Sequence, residues 1–332
     1  MEKMKLICLT PIKNEEWILR EFLLSASLWA DHIIIANQGS TDGSLEIIKM
    51  FPKVILINNE NFEFSENERQ KMLISEARKI EGPKILIALD ADEAFVSNYL
   101  DSDEFEIIKK LKPGTVIKFD LVNILPQKNI YWPSSYKTPL GFVDDGSNHN
   151  GIEIHSPRVP TPQNGLLYFP KEIKVMHFQY ANWDRMKSKH RWYQCWEHIK
   201  DPKRSIVSIY RQYNHMYAIK KSQYKIIPYE WLEKYKIIGA DYCNLKNEKF
   251  YWWDYEVLKL LNQYGLKFFS QIDIWDFDWS KCSLNVKENK LLNFYDPRSN
   301  FEKLIMKMLK KTQPYMNNVF MKIIDRFSRL FY

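Results

Sequence analysis

Cysteine is scarce. The chain has four in 332 residues, Cys8, Cys195, Cys243 and Cys282, scattered with no CxxC and no close pair. That spacing excludes a disulfide framework and a cysteine zinc cluster, and it points to a reducing compartment. Also absent is any run of about 18 apolar residues, the minimum for a helix that crosses a bilayer. The first residues, MEKMKLICLTPIKNEEW, carry charges within the apolar stretch and do not read as a signal peptide. The expected place of work is the cytoplasm, or the cytoplasmic face of the inner membrane. Internal repeats and low-complexity tracts are lacking too.

What is present is ordinary in bulk and biased in detail. Hydrophobic residues make up 45% and charged residues 27%, as in a soluble globular protein. Aromatics reach 15%, and most of the excess follows residue 130, where it serves either core packing or stacking surfaces for sugars and bases. The net charge of +7 suits anionic partners such as nucleotide diphosphates, an anionic membrane or nucleic acid. Charge alone does not choose among them.

The first hundred residues alternate strand and helix. KLICL, the run Ile33-Ile34-Ile35, VILI at 54–57 and KILIAL at 84–89 read as buried strands. Between them lie helical patterns over Trp17 to Trp29, a short helix ended by Pro52, and Glu66 to Lys79. This order builds a parallel sheet with right-handed crossovers, in which ligands sit beyond the carboxyl ends of the strands. Three polar clusters fall there: Thr10 to Glu16, Asn37 to Asp42, and Asp90 to Glu93. From about 112 to 180 the text reads as short strands and long loops, the makings of an acceptor pocket. From Trp183 onward it is helical, aromatic and basic. The expected domains are 1–180, divided into a nucleotide half (1–100) and an acceptor half (101–180), then a helical region 181–332 with a basic amphipathic tail over 301–332. In that tail Leu304, Ile305, Met308 and Leu309 share a face, and Phe320, Ile323, Ile324, Phe327 and Phe331 repeat it among Lys322, Arg326 and Arg329. Such helices lie on anionic membranes or pack on their own domain.

The sharpest feature is Asp90-Ala91-Asp92-Glu93 at a strand end. Two carboxylates one residue apart, leaving the same face, can hold a hard divalent cation that bridges diphosphate oxygens. Neutralising charge on a departing nucleotide diphosphate is the central problem when a glycosyl bond breaks.

TPIKNEE at 10–16, NQGSTDGS at 37–44 and LDADE at 89–93, in this order and spacing, resemble glycosyltransferase family 2, the inverting enzymes of GT-A fold. The resemblance is good over about the first hundred residues and weak to about Tyr193. It implies an α/β, Rossmann-like GT-A domain with a mostly parallel central sheet flanked by helices and a helical C-terminal extension. It also implies an NDP-sugar donor, UDP-sugar first, and a Mn²⁺ or Mg²⁺ ion. Carried over residue by residue, Thr10 and Pro11 line the nucleotide pocket with Asn14, and Glu15 approaches the base or ribose. The turn Asn37, Gln38 to Asp42 contacts the base. Asp90, with Ala91 beside it, meets the ribose or metal-bound water, and Asp92 is the principal metal ligand. The family usually has Asp where this chain has Asn37, so uracil specificity is open. Arg69 matches a basic position that helps bind the nucleotide or its phosphates. His177, in KVMHFQY, matches the later histidine that often completes the metal and diphosphate site, with Arg185, Lys187 and Lys189 following closely.

An inverting transfer needs a general base for the acceptor hydroxyl. The acceptor region offers Asp145 first, then Asp144 and Glu153, flanked by His149, His155 and Arg158. His155 and Arg158 are alternatively contacts for an anionic acceptor or the diphosphate. A nucleotidyltransferase making NDP-sugars shares an acidic metal site, but it begins with a Gly-rich loop, and TPIKNEE has no glycine. A nucleic-acid-binding or non-catalytic nucleotide-binding protein is the other alternative; no named module appears, and no nucleic acid partner is expected. The reading is therefore inverting sugar transfer to a glycan or lipid-linked glycan of the bacterial surface-polysaccharide or lipopolysaccharide kind.

Overall fold

A computed structural model describes residues 3–59, 65–126, 129–284 and 294–329. The chain forms two compact units: unit 1 is Met1–Ala181 with Lys225–Asn247, and unit 2 is Asn182–Tyr224 with Glu248–Tyr332.

Unit 1 opens with β1 (Lys5–Ile12), α1 (Leu19–Trp29), β2 (His32–Asn37), α2 (Ser44–Ile48), β3 (Val54–Asn58), α3 (Glu66–Arg78) and β4 (Lys84–Ala88). These four strands are parallel in the order β3-β2-β1-β4. Side chains alternate across the sheet, so each apolar run feeds two cores at once. Leu6, Cys8, Ile33, Ile35, Ile85 and Ile87 pack on α1 through Phe22, Leu23 and Ala26. Ile7, Leu9, Ile34, Ala36, Leu86 and Ala88 pack on α3 through Leu73, Ile74 and Ala77. That double burial is why these strands read as unbroken hydrophobic runs.

Then come β5 (Glu93–Phe95), α4 (Glu104–Ile108), β6 (Val116–Ile124), β7 (Ile130–Val143), β8 (Leu167–Tyr168) and β9 (Lys174–His177). Here the sheet turns mixed. β7 runs antiparallel to both β4 and β6, β9 is parallel to β6, and β5 is antiparallel to β9. The α/β GT-A architecture expected from the sequence is what forms, with β1–β4 wholly parallel and the rest of the sheet mixed. Glu104 on α4 accepts backbone N–H bonds from Lys171, Glu172 and Ile173 at 2.6, 2.9 and 2.9 Å, which fixes the chain entering β9 and so places His177 at its end.

The segment Lys225–Asn247, which the sequence places in the helical region, packs in unit 1. Its β10 (Lys225–Ile226) pairs with β7, and α7 (Glu233–Ile237) follows. Trp231 lies 5.0 Å from Tyr131, Tyr235 donates to the Phe95 carbonyl at 2.8 Å, and Tyr242 stacks on Phe178 at 4.5 Å. Apolar rings with one polar end satisfied explain its pull.

Unit 2 holds α5 (Trp183–Lys200), α6 (Ile206–Tyr213), α8 (Trp252–Tyr264), α9 (Trp279–Ser283), α10 (Asn300–Thr312) and α11 (Val319–Ser328). Asn182 caps α5, and Ser299 with Glu302 forms a capping box on α10. The tail is no loose appendage. Leu309 and Met306 are buried against Val207 and Tyr210. Arg211, 3% exposed, donates to both Asp325 oxygens (2.9 and 3.0 Å), to Gln313 Oε1 (2.9 Å), to Thr312 Oγ1 (2.7 Å) and to the Leu309 carbonyl (3.1 Å). Removing the chain after Asn300 would strip a buried guanidinium of every partner. The shared face expected over Leu304 to Leu309 is therefore split, with Leu309 inward and Leu304 and Met308 outward. Phe331 lies outside the described residues. Among the described residues no helix is long and apolar enough to cross a membrane.

Candidate functional site

The loops leaving β1 and β2 are stitched together by side chain to backbone bonds. Asn14, in a left-handed conformation at φ 56°, accepts from Thr41 N at 2.7 Å, while its own N–H donates to Ser40 Oγ at 3.0 Å. Glu15 N–H donates to Ser44 Oγ (3.0 Å) and Glu16 N–H to Asp42 Oδ2 (2.9 Å). In return Glu16 Oε2 accepts from Gly43 N at 3.0 Å, and Asp42 Oδ1 accepts from Ser44 N at 3.0 Å. Glu15 itself is steadied by Trp17 Nε1 at 2.7 Å. A Cβ on Gly43 would lie 2.9 Å from Glu16 Cδ. We expect Gly43→Ala to cost about 1 kcal/mol, a cheap clash because Glu16 can swing away; a thermal melt matching wild type would show that this stitch is slack.

Asn37 is buried at the end of β2, and both its polar ends are taken: Oδ1 accepts from Ser40 N at 3.0 Å and Nδ2 donates to Asn58 Oδ1 at 3.2 Å. It shapes the turn. Thr10 has no exposed surface, its hydroxyl lies 3.5 Å from Cys8 Sγ, and Pro11 is buried beside it. These two set the strand end, and neither side chain lines an open pocket. Gln38, partly exposed, is tied to β1 by its N–H to the Ile12 carbonyl at 2.9 Å. Arg69 is half-buried, with a buried Nε that has no hydrogen-bond partner among the described residues.

β4 stops at Ala88, so Asp90, Ala91 and Asp92 lie in a turn and the two carboxylates find different partners. Asp90 Oδ2 accepts from Arg158 Nη2 at 2.8 Å, and the same guanidinium reaches Glu93 Oε2 through Nη1 at 2.5 Å. Glu93 Oε2 also accepts from Asp90 N–H at 3.0 Å. Burial pushes the Glu93 carboxyl above its ordinary pKa, with Arg158 opposing; for Arg158 the burial penalty is outweighed by Asp90 and Glu93, so it stays protonated. Asp92, 5% exposed, faces His177 instead, with Oδ1 3.9 Å from Nε2. His177 Nδ1 lies 3.1 Å from Asn123 Oδ1, which can only accept, so Nδ1 donates to it and Nε2 is the nitrogen turned toward Asp92. Tyr180 sits edge-on to His177 with ring centroids 5.9 Å apart.

The fit to a divalent cation is therefore partial. Asp92 and His177 are too far apart to hydrogen bond, close enough to share one cation, and chemically suited to Mn²⁺ or Mg²⁺. Asp90, expected as a further ligand, is spent on Arg158. Among the described residues no group of three or more His, Cys, Asp or Glu is gathered to hold a metal on protein ligands alone.

The expected bases separate sharply. Val143 pairs with Ile85 and Asp144 N–H donates to the Lys84 carbonyl, so Asp144 and Asp145 sit at the amino end of β4. The five residues of β4, roughly 16 Å of extended chain, separate them from the Asp90–Asp92 turn. Both expectations are corrected by that geometry. Asp144 forks onto Arg78 (2.8 and 3.2 Å), and Asp145, although burial works against it, is held below its ordinary pKa by the Ser147 hydroxyl and N–H. Glu153 is exposed, on the loop that runs to Arg158. Glu66 at the start of α3 grips that loop twice, donating N–H to the Glu153 carbonyl and accepting from Ser156 N, both at 2.9 Å. His155 within it has φ 58°, a costly conformation for a residue with a side chain.

Sequence reading missed Asn123 as the group orienting His177 and Arg158 as the counter-charge to Asp90 and Glu93. The second had a signal: three carboxylates within four residues demand a buried cation nearby.

Residues 8–102 match the model of glycosyl transferase family 2. The stretch covers all three motifs, and the expected glycosyltransferase assignment stands on it. Among solved structures, a crystal structure of a TarS fragment from S. aureus aligns at 12% identity, covering 81% of this chain and 80% of that one, with a TM-score of 0.37. The longer S. aureus TarS aligns at 13% identity over 98% of this chain and 54% of its own length, with a TM-score of 0.41. HddC from Yersinia pseudotuberculosis aligns at 11% identity over 53% of this chain and 93% of that one, with a TM-score of 0.30. No curated protein sequence matches the chain significantly.

Proposed function

We propose that this chain, which carries a glycosyl transferase family 2 domain, transfers a sugar with inversion from an NDP-sugar to a hydroxyl of a glycan or lipid-linked glycan. The observation that carries the reading is the family match over the segment whose stitched loops and Asp92–His177 pair converge beyond the strand ends. UDP is the nucleotide we place first. Glu15, Gln38 and the backbone of the turn 37–42 meet the base and ribose, with Asn37 holding that turn in shape. Arg69, with its unpartnered Nε, meets a phosphate. Asp90 is oriented by Arg158. Asp92 and His177 would hold the divalent cation, which when bound neutralises charge on the leaving diphosphate. Glu153 takes the proton from the acceptor hydroxyl as its oxygen bonds to the anomeric carbon. The bond from that carbon to the diphosphate oxygen breaks, and the nucleotide diphosphate leaves with the electron pair.

The test is the melting temperature with UDP, GDP, dTDP and CDP, each with and without Mn²⁺, for wild type and Asp92→Ala. A ligand at 100 times its dissociation constant stabilises by about 2.7 kcal/mol, some 5–10 °C for a unit of this size. The expected result is a shift with one nucleotide that needs both Mn²⁺ and Asp92. No shift with any nucleotide would sink the donor site.

The place of work we propose is the cytoplasmic face of the inner membrane, held by α10 and α11. Support comes from outward Leu304, Met308, Phe320, Ile323 and Phe327 lying among Lys303, Lys307, Lys311, Lys322 and Arg326. Because the tail is part of the unit 2 core, truncation is a poor test. The triple change Phe320→Ser, Ile323→Ser, Phe327→Ser should lower binding to phosphatidylglycerol vesicles at least tenfold without moving the melting temperature. Equal sedimentation with vesicles would rule the anchor out.

A further inference from the structure

Unit 2 contains a cavity of about 850 Å³, inside the range of roughly 300–1,000 Å³ typical of ligand pockets. α5 contributes His190, α6 contributes Tyr210 and Tyr213, Tyr217 follows α6, and α10 supplies Lys310. His190 is 7% exposed, and its Nδ1 lies 2.7 Å from the Tyr213 carbonyl, which can only accept. The hydrogen is therefore on Nδ1. Burial pulls the imidazole pKa down to about 3, so the ring is neutral near pH 7 and Nε2 offers a lone pair. No hydrogen bond to that nitrogen occurs among the described residues.

Among the wall's ionic groups Glu248 and Lys249 are exposed, and the others are already matched. Arg191 pairs with Asp254 at 2.5 Å, Lys187 with Asp184 at 3.5 Å, and Lys310 bridges Asp273 (3.0 Å) and Asp276. A phosphate or an ammonium that drew Arg191 or Asp254 from its partner would leave a buried charge alone, at a cost of several kcal/mol. An uncharged polyol does not. Its hydroxyls accept from Lys310, donate to the spare lone pairs of Asp273 or to His190 Nε2, and leave each pair intact. Tyr210 and Tyr217 add ring surface for the apolar C–H face of a pyranose, while the Tyr213 hydroxyl is held by Glu197.

We propose that this cavity is a binding site for a neutral saccharide, a short uncharged stretch of glycan. The assignment rests on unit 2 alone and not on the donor reading of unit 1.

The experiment uses the full chain. Calorimetry and saturation-transfer NMR are run with maltotriose, cellotriose and tri-N-acetylchitotriose, with inorganic phosphate as the anionic control. UDP–Mn²⁺ melting is measured on the same samples. At least one trisaccharide should bind in the millimolar range or tighter. Tyr217→Ala, at a ring 38% exposed, should weaken it about fivefold to tenfold, and His190→Gln should do likewise. The UDP response should not change in either. Absence of trisaccharide binding at about 10 mM, undiminished binding in Tyr217→Ala, or phosphate binding that is lost in Tyr217→Ala would each overturn the proposal. Trisaccharide binding without a UDP shift would keep this site and remove the donor reading; the reverse would remove this site alone.

Discussion

Arg158→Met should lower the stability of unit 1 by about 3–5 kcal/mol, the cost of stranding a buried charge when its partner is removed, and should abolish the UDP–Mn²⁺ melting shift. Glu93 has a fully buried side chain whose Oε1 has no hydrogen-bond partner among the described residues, so Arg158 is its principal compensation. Without the guanidinium, burial raises the Glu93 pKa further above its ordinary value of 4.5. The sign of the pH dependence follows. The folded state then binds more protons than the unfolded one at pH values above 4.5, so stability falls as pH rises and is greatest in acid. Melting curves of Arg158→Met should therefore improve as the buffer is taken from pH 7.5 to 5.5. Adding Glu93→Gln should restore much of the stability at pH 7.5, because a neutral amide replaces the stranded carboxylate. It should not restore the UDP response, since Asp90 would still lack its cation. A single variant that melts within 1 °C of wild type would show that Arg158 is a bystander at this site.

Most of β1–β4 was legible because each strand is buried on both faces and bounded by polar turns; KLICL and KILIAL have no alternative but the middle of a sheet. The catalytic half was less so. β7 runs through Pro133 and Pro139, residues that read as loop. The structure accommodates them beside register shifts between Ile117/Lys118 and Asp120/Val122 on β6, where a missing N–H is tolerated. Once β7 is a strand antiparallel to β4, its end is carried away from the Asp90–Asp92 turn, and with it the DDG at 144–146. The choice of Asp145 as base thus rests on its place in the acceptor region, a matter of order and not of space. Likewise, the same-face reading of Asp90 and Asp92 assumed that the strand continued. It ends at Ala88, and the turn sends one carboxylate to Arg158 and the other toward His177. The aromatic excess proved mainly structural in its largest members, with Tyr235, Phe178 and Phe269 almost wholly buried.

Those corrections leave Glu153 as the acid to test, and Glu153→Gln should lower kcat by about 10²–10⁴, the usual worth of a positioned general base. The change keeps shape and removes the proton acceptor, so donor binding should survive: the UDP–Mn²⁺ melting shift should match wild type. Stability should change little, because Glu66 grips the loop through the Glu153 carbonyl and the Ser156 N–H, bonds that the amide leaves in place. Asp145→Asn supplies the contrast. Its carboxylate accepts from Ser147 N–H at 2.9 Å at the far end of β4, an arrangement an amide oxygen can largely keep, so turnover should stay within about twofold of wild type. Asp144→Asn weakens the fork from Arg78 and should act on stability rather than on kcat. The two kinds of variant therefore split cleanly, one in turnover at constant melting temperature, the other in melting temperature at constant turnover. If Asp145→Asn instead lost a hundredfold in kcat while Glu153→Gln did not, the loop that carries Arg158 would be a donor-site clamp only. The acceptor would then have to reach the sugar from the opposite edge of the sheet.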